Sequence, residues 1–226
     1  MSALLWVLVT FFFVGYLVLE GANFGVGMRL VRGDLEYRNR LARAISPRFL
    51  GSEVWLVAAA GLLTAAFPKT EAARTPDLYP VIVTILLGWM VRDAGLWFRG
   101  RWRPEWCDRA VALGSFVLAG GWGFALVRLV TGTVWWPLLT AVAAVVVAWL
   151  YGGTFLAGFR PAAAVGAVIA AAAAVVLLTR QPPHAAGSTT LILLAAFVLP
   201  ALPFLLAAQV WLWRACRRPV SQPGFF

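Results

Sequence analysis

Long apolar runs alternate with short polar, arginine-rich ones along the whole chain. Seven apolar segments stand out, at about 3–28, 48–67, 78–98, 109–130, 135–157, 162–179 and 190–213. A helix needs about 20 mostly apolar residues to cross a hydrocarbon core. A membrane barrel would show short strands of alternating polarity, whereas these are continuous Leu/Val/Ala/Phe runs. The pattern predicts an all-α integral membrane protein with about seven transmembrane helices. The sixth segment, alanine-rich through Ala170–Ala174 and flanked by Pro161 and Pro182, is the shortest of the clear runs. Ser46-Pro47, just ahead of Phe49, reads as an N-cap followed by a first-turn proline that opens the second helix. Met1-Ser2-Ala3 carries no basic n-region and no cleavage site follows, so the first segment reads as a spanning helix rather than a signal peptide.

Composition agrees. Of 226 residues, 62% are hydrophobic and only 12% charged, where a soluble domain averages about a quarter charged; mean hydropathy is +0.84. The net charge of +10 would suit a nucleic-acid binder, but its distribution argues otherwise. Arg29, Arg32, Arg38, Arg40, Arg43, Arg48, Arg99, Arg101, Arg103, Arg109, Arg160, Arg214, Arg217 and Arg218 fall at alternate helix ends, and the opposite ends hold only Lys69, Arg74, Arg128 and Arg180. With the nearby acids counted, one side carries +10 and the other +2. Cytoplasmic loops carry the Lys/Arg excess, so the N-terminus is expected outside and the C-terminus in the cytoplasm, which requires an odd number of helices. The basic excess is then an orientation signal that also suits anionic lipid, and no nucleic-acid partner is expected.

The membrane interior keeps four charged residues, Glu20, Glu53, Arg92 and Asp93. At about 1.5 Å rise per residue, Glu20 lies roughly 13 Å inside the cytoplasmic boundary, Glu53 roughly 8 Å, and Arg92 and Asp93 roughly 9–10 Å. Three helices thus place ionisable groups at one level. A lone arginine could snorkel to the headgroups; three carboxylates and one arginine at one level read instead as a pairing network around a polar cavity. Asn23 stands three residues after Glu20 and shares its helix face. Gly21 and Gly25 make a GxxxG step that Gly27 extends, a spacing that usually serves close helix packing.

Chemistry beyond this is sparse. His184 lies in a polar loop with Pro182, Pro183 and Ser188, where a lone histidine is ordinarily solvated. Cys107 and Cys216 sit near cytoplasmic helix ends without metal spacing, and no metal site is expected. A haem needs an axial His, Met or Cys ligand, and the apolar segments offer little beyond Met28 and Met90. No phosphate loop or nucleophile elbow occurs. Of the twelve tryptophans, Trp6, Trp102, Trp106, Trp135, Trp136, Trp211 and Trp213 fall near membrane interfaces. Trp55, Trp89, Trp97, Trp122 and Trp149 lie deeper, packed between helices or against a partner.

Taken together, these motifs resemble subunit II of the cytochrome bd-type quinol oxidases. That family's first helix ends in a pattern like D-G-F-D-x-G-V-G-M, matched by Glu20-Gly21-Ala22-Asn23-Phe24-Gly25-Val26-Gly27-Met28. Its second opens like I-x-P-x-W-D-G-N-E-V-W-L, matched by Ile45-Ser46-Pro47-Arg48-Phe49-Leu50-Gly51-Ser52-Glu53-Val54-Trp55-Leu56, and closes as Ala65-Ala66-Phe67-Pro68 does. Arg92, Gly95, Phe98 and Arg99 meet the R-x-x-G-x-x-F-R end of the third, followed by Trp102-Arg103, Trp106 and Gly114-Ser115-Phe116. The resemblance runs from residue 15 to about 132. Three departures from it matter. Leu50 replaces an aspartate thought to serve a proton route, Glu20 and Asn23 replace two aspartates, and Trp97 stands where an acid is common.

The family is built from two similar four-helix halves. Gly152-Gly153-Thr154-Phe155-Leu156-Ala157-Gly158-Phe159-Arg160 echoes Gly21 to Arg29, sharing Gly, Phe, Gly and Arg in register, and both segments run outward to inward as a parallel duplication requires. Chance similarity between Gly/Ala-rich helices is the alternative. On the duplication reading, one polytopic membrane domain spans 1–226, with a first four-helix repeat at 1–132 and a shortened second repeat at 133–226 lacking its eighth helix.

The resemblance implies an accessory subunit of a quinol:oxygen oxidoreductase in the cytoplasmic membrane of an aerobic prokaryote, inactive alone. It implies haems b and d in a larger subunit I, quinol used by the complex, bound lipid or a structural quinone, and room for a small extra subunit. Glu20, Asn23, Glu53, Arg92 and Asp93 would line a proton route. Two other readings use the same residues: a component of a proton-coupled transporter, and a family offshoot that has lost proton transfer, which Leu50 suggests.

Overall fold

The computed structural model describes residues 1–45, 49–128, 135–179 and 184–215, and the side chains of all of these except 49, 50, 70–76, 213 and 215. Among the described residues there are helices and no strand. The first, α1 (Ser2–Gly27), is the axis of the bundle. Its buried positions include Leu5, Leu8, Val9, Phe12, Tyr16, Leu17 and then every residue from Glu20 to Gly27. The stretch Glu20–Gly27 is buried on every side, while Leu4, Val7 and Phe11 nearer the start are exposed, and α1 packs on α3 (Phe49–Ala66), α5 (Pro104–Arg128), α6 (Trp135–Ala157) and α7 (Phe159–Leu178). A 3₁₀ turn at Met28–Val31 ends it.

Each of the seven apolar segments falls on a helix, with α4 (Pro68–Phe98) and α8 (Ser188–Ala215) completing the set. Among the described residues six helices are long and apolar enough to cross a membrane; α3 contributes the shorter apolar stretch Gly51–Ala66, about 24 Å at 1.5 Å per residue. The third segment extends well before its apolar window, because Pro68 at the first helical position starts α4 ahead of the polar stretch. The Ser46-Pro47 cap, Arg48 and Cys216 lie outside the described residues, as does the side chain of Leu50.

One helix had no counterpart in the apolar pattern. Between the first two spans, α2 (Leu35–Ile45) buries Leu41, Ala42 and Ile45 and turns Arg40 outward. The Asp34 carboxylate accepts a hydrogen bond from the Tyr37 backbone N–H at 2.8 Å, capping its start.

The basic helix ends collect at one end of the bundle. Asp108, buried at the start of α5, accepts hydrogen bonds from Arg99 Nε at 2.7 Å and from Arg38 Nη1 at 3.0 Å, while Arg99 Nη1 donates to Asn39 Oδ1 at 2.8 Å. This ties α2, α4 and α5 together. At the other end Trp6 Nε1 donates to the Leu177 carbonyl at 3.3 Å, and the Ala186 N–H donates to the Ala66 carbonyl at 2.8 Å.

Candidate functional site

The buried charges of three helices meet at Arg92. Its guanidinium presents donors in a fixed fork, and every arm is used. Nη1 donates to Glu20 Oε1 of α1, Nη2 to Glu53 Oε1 of α3 at 3.0 Å, and Nε to its neighbour Asp93 Oδ1 at 2.9 Å. The second Glu20 oxygen accepts from Asn23 Nδ2 at 2.9 Å and from Ser52 Oγ. Trp89 Nε1 donates to Glu53 Oε1 at 2.6 Å, and the Phe24 ring lies 5.7 Å from the Arg92 guanidinium carbon. Glu20, Asn23, Glu53, Arg92 and Asp93 are thus in one connected cluster, on two helices that span the membrane by length and composition, α1 and α4, and on the shorter apolar α3.

Backbone packing makes room for this. A Cβ on Gly114 of α5 would stand 2.6 Å from the Arg92 Cβ, so only glycine lets α5 pass where the arginine stem leaves α4. The glycines of α1 divide their tasks. Gly25 lies directly against α6, where an added Cβ would run into the Ala148 carbonyl and stand 2.6 Å from the Gly152 nitrogen. Gly27 lies against the Ser115 side chain of α5, whereas a Cβ on Gly21 would make ordinary contact with Tyr151 at 3.4 Å. Arg29 then locks the α1–α6 crossing, donating to the Gly25 carbonyl at 2.9 Å and to the Trp149 carbonyl, with its guanidinium carbon 4.1 Å from the Trp149 ring centre. The echo segment in α6 behaves differently from α1. Gly158, at φ +145°, breaks the chain between α6 and α7, where the matching Gly27 stays helical.

Exposure grades the cluster. The Glu20 and Arg92 side chains are 0% and 2% exposed, Glu53 and Asp93 17% and 23%. Beside the buried end runs an apolar cavity of about 800 Å³ between α1, α6 and α7, bordered by Val18, Ala22, Tyr151 and Ala167, with Asn23, Ser52 and Gln209 as its polar members. Gln209 Oε1 of α8 accepts a hydrogen bond from Trp55 Nε1 at 3.1 Å.

Two features were missed from sequence. Ser52 and Trp89 hydrogen-bond to the carboxylates; a hydroxyl between Gly51 and Glu53 in an apolar run was the available signal for the first. The Asp108 clamp is not visible in the sequence, because Asp108 lies one residue before the apolar segment that forms α5 and counts there only towards the charge of a helix end. Of the deeper tryptophans, Trp55 is buried and Trp122 donates to Tyr16 Oη at 3.1 Å, while Trp97 is 42% exposed and faces out of the bundle. His184 is exposed, and no group of three or more His, Cys, Asp or Glu able to hold a metal ion occurs among the described residues.

The family described as cytochrome bd terminal oxidase subunit II matches residues 1–180. The cytochrome bd-I ubiquinol oxidase subunit 2 of Escherichia coli K12 is 36% identical over 120 residues, covering 50% of this chain and 31% of that protein. The cytochrome bd ubiquinol oxidase subunit 2 of Bacillus subtilis 168 is 39% identical over 122 residues, covering 50% and 36%. A probable cytochrome oxidase subunit 2 of Haemophilus influenzae is 33% identical over 134 residues, covering 56% and 35%. The matched stretches span about a third of the length of these relatives.

Proposed function

The chain belongs to the cytochrome bd terminal oxidase subunit II family, and from that premise we propose that it is the haem-free membrane subunit of a quinol:oxygen oxidoreductase. It sits beside a larger subunit I that carries haems b and d, in a prokaryotic cytoplasmic membrane, with the arginine-rich helix ends and the C-terminus in the cytoplasm. The candidate axial ligands among the described residues do not fit a haem, and Met28 is packed against the apolar core. His184 is an exposed loop residue, Met90 is 68% exposed, and the backbone of the buried Cys107 has Gly95 packed directly on it.

The observation that carries the proposal is the convergence of Glu20, Glu53 and Asp93 on the single guanidinium of Arg92. Ionised together, the three carboxylates exceed the guanidinium by two charges. A layer shielded from water relieves such an excess by holding a proton, and intramembrane carboxylates of this kind serve proton relays. Glu20, with both oxygens occupied by Arg92, Asn23 and Ser52, is the fixed acceptor that holds the arginine in place. Glu53 and Asp93, at the partly exposed edge, are the groups that take up and hand on a proton toward the partner. The apolar cavity beside Asn23 and Ser52 takes the tail of a lipid or a structural quinone.

Purification from membranes tests the reading. The chain is expected to co-purify with haem absorbance and quinol-dependent oxygen uptake; a preparation without both would defeat it.

A further inference from the structure

Arg29 and Arg32 bring two guanidiniums to one indole. Their guanidinium carbons lie 4.1 and 5.5 Å from the Trp149 ring centre, within the range at which an aromatic face holds a cation. Arg29 is half-buried against α6, and its bonds to the Gly25 and Trp149 carbonyls both leave from Nη1. Its Nη2 rests over Gly153, where a Cβ would stand 2.7 Å from it. Two like charges this close call for an anion. The carboxylate ion pairs among the described residues are made by Arg38, Arg92 and Arg99, and neither Arg29 nor Arg32 enters one. The pair sits where the apolar span Ser2–Val31 ends, at the border between hydrocarbon and headgroups. From there one face of α6 runs into the membrane as exposed apolar side chains, Leu150, Val146, Val142 and Leu139, three or four residues apart as neighbours on a helix face are. From Gly153 to Val142 this face is about 16 Å long, the depth of one leaflet of a core about 30 Å thick.

We propose that Arg29, Arg32 and Trp149 form the headgroup site of an anionic phospholipid in the leaflet on the arginine-rich side. The two guanidiniums take its phosphate, and an acyl chain lies along Leu150, Val146 and Val142. Arginine presents a rigid fork of N–H donors that matches phosphate oxygens. The two carbonyl bonds already hold the Arg29 fork in place, so little side-chain freedom is lost when the phosphate arrives. The site is separate from the cavity beside Asn23 and Ser52, whose wall on α6 is Tyr151 and Phe155. It needs only the packing of α1 on α6 and stands apart from the oxidase reading.

Native mass spectrometry tests it on the complex as purified from membranes, stripped of lipid in a neutral detergent and offered phosphatidylglycerol and phosphatidylcholine in equal amounts. Phosphatidylglycerol is expected to be retained in preference to phosphatidylcholine. Arg32→Gln, at an exposed position, is expected to weaken that retention about fivefold, and Arg40→Gln, on the outward side of α2, to leave it unchanged. Equal retention of the two lipids, or an equal loss in the two variants, overturns the site. Inorganic phosphate that raises the thermal stability of the lipid-free complex as far as phosphatidylglycerol does overturns the lipid assignment, leaving a site for a free anion. A photo-crosslinking amino acid at Val146, activated in whole membranes, is expected to give lipid adducts. An adduct with another polypeptide in their place overturns the proposal and gives this face of α6 to a protein.

Discussion

The Arg92 guanidinium closes on the Glu20 carboxylate across 72 residues of chain, with both side chains shut off from the surface. Because Glu20 belongs to the central helix and Arg92 to α4, which packs mainly on α5, the pair fixes how deep α4 sits against the axis. A buried pair of this kind contributes little when intact and much when broken, since removing one partner leaves an uncompensated charge out of water.

Replacing Arg92 with methionine should therefore destabilise the protein by about 3–5 kcal/mol, seen as lost thermal stability in detergent. Removing Glu20 as well, in a Glu20→Met, Arg92→Met variant, should recover part of that loss, because the stranded carboxylate goes with its partner. A double variant as unstable as the sum of the two single ones would show that the residues act independently.

The glycines of α1 make a sharper contrast. Gly25→Ala pushes a methyl group into the backbone of α6 and should cost about 1–3 kcal/mol through overpacking. Gly21→Ala meets Tyr151 at an ordinary 3.4 Å and should be neutral or gain up to about 1 kcal/mol from helix propensity. Thermal melts of the two variants side by side check this.

Asp108→Asn weakens the ion pairs to Arg38 and Arg99 that hold α2 to α4 and α5. Limited trypsin digestion should then cut faster at Arg38, Arg40 and Arg43, while the membrane-spanning fragments stay intact. Unchanged cleavage would mean that the apolar face of α2, with Leu41 and Ile45, suffices to hold it.

The spans were legible because an apolar run of membrane length has one stable form, and depth counting along the helices already placed Glu20, Glu53, Arg92 and Asp93 at one level. Helix rotation was not legible. Whether Glu53 or Val54 turns inward depends on crossing angles set by contacts such as Gly25 on Gly152 and Gly114 on Arg92, which are far apart in sequence. The amphipathic α2 was hidden for a different reason. Its apolar face is only Leu41, Ala42 and Ile45 among arginines, a pattern that charge counting reads as loop. Ser52 escaped because a lone hydroxyl in an apolar helix ordinarily bonds its own backbone, and only the approach of α1 gives it the Glu20 carboxylate.

The proton role separates the cluster into two classes of residue, and turnover of the purified oxidase should separate them too. Glu53→Gln and Asp93→Asn remove groups at the partly exposed edge and should lower quinol-dependent oxygen uptake by about tenfold or more, with an increased solvent isotope effect and unchanged haem absorbance in the complex that remains. Glu20→Gln removes a fixed acceptor that Asn23 and Ser52 also hold. It should act mainly on stability, lowering the yield of complex more than the turnover per haem. If Glu53→Gln and Asp93→Asn leave both turnover and isotope effect unchanged, these carboxylates carry no proton, and the chain is a family member that keeps the scaffold alone.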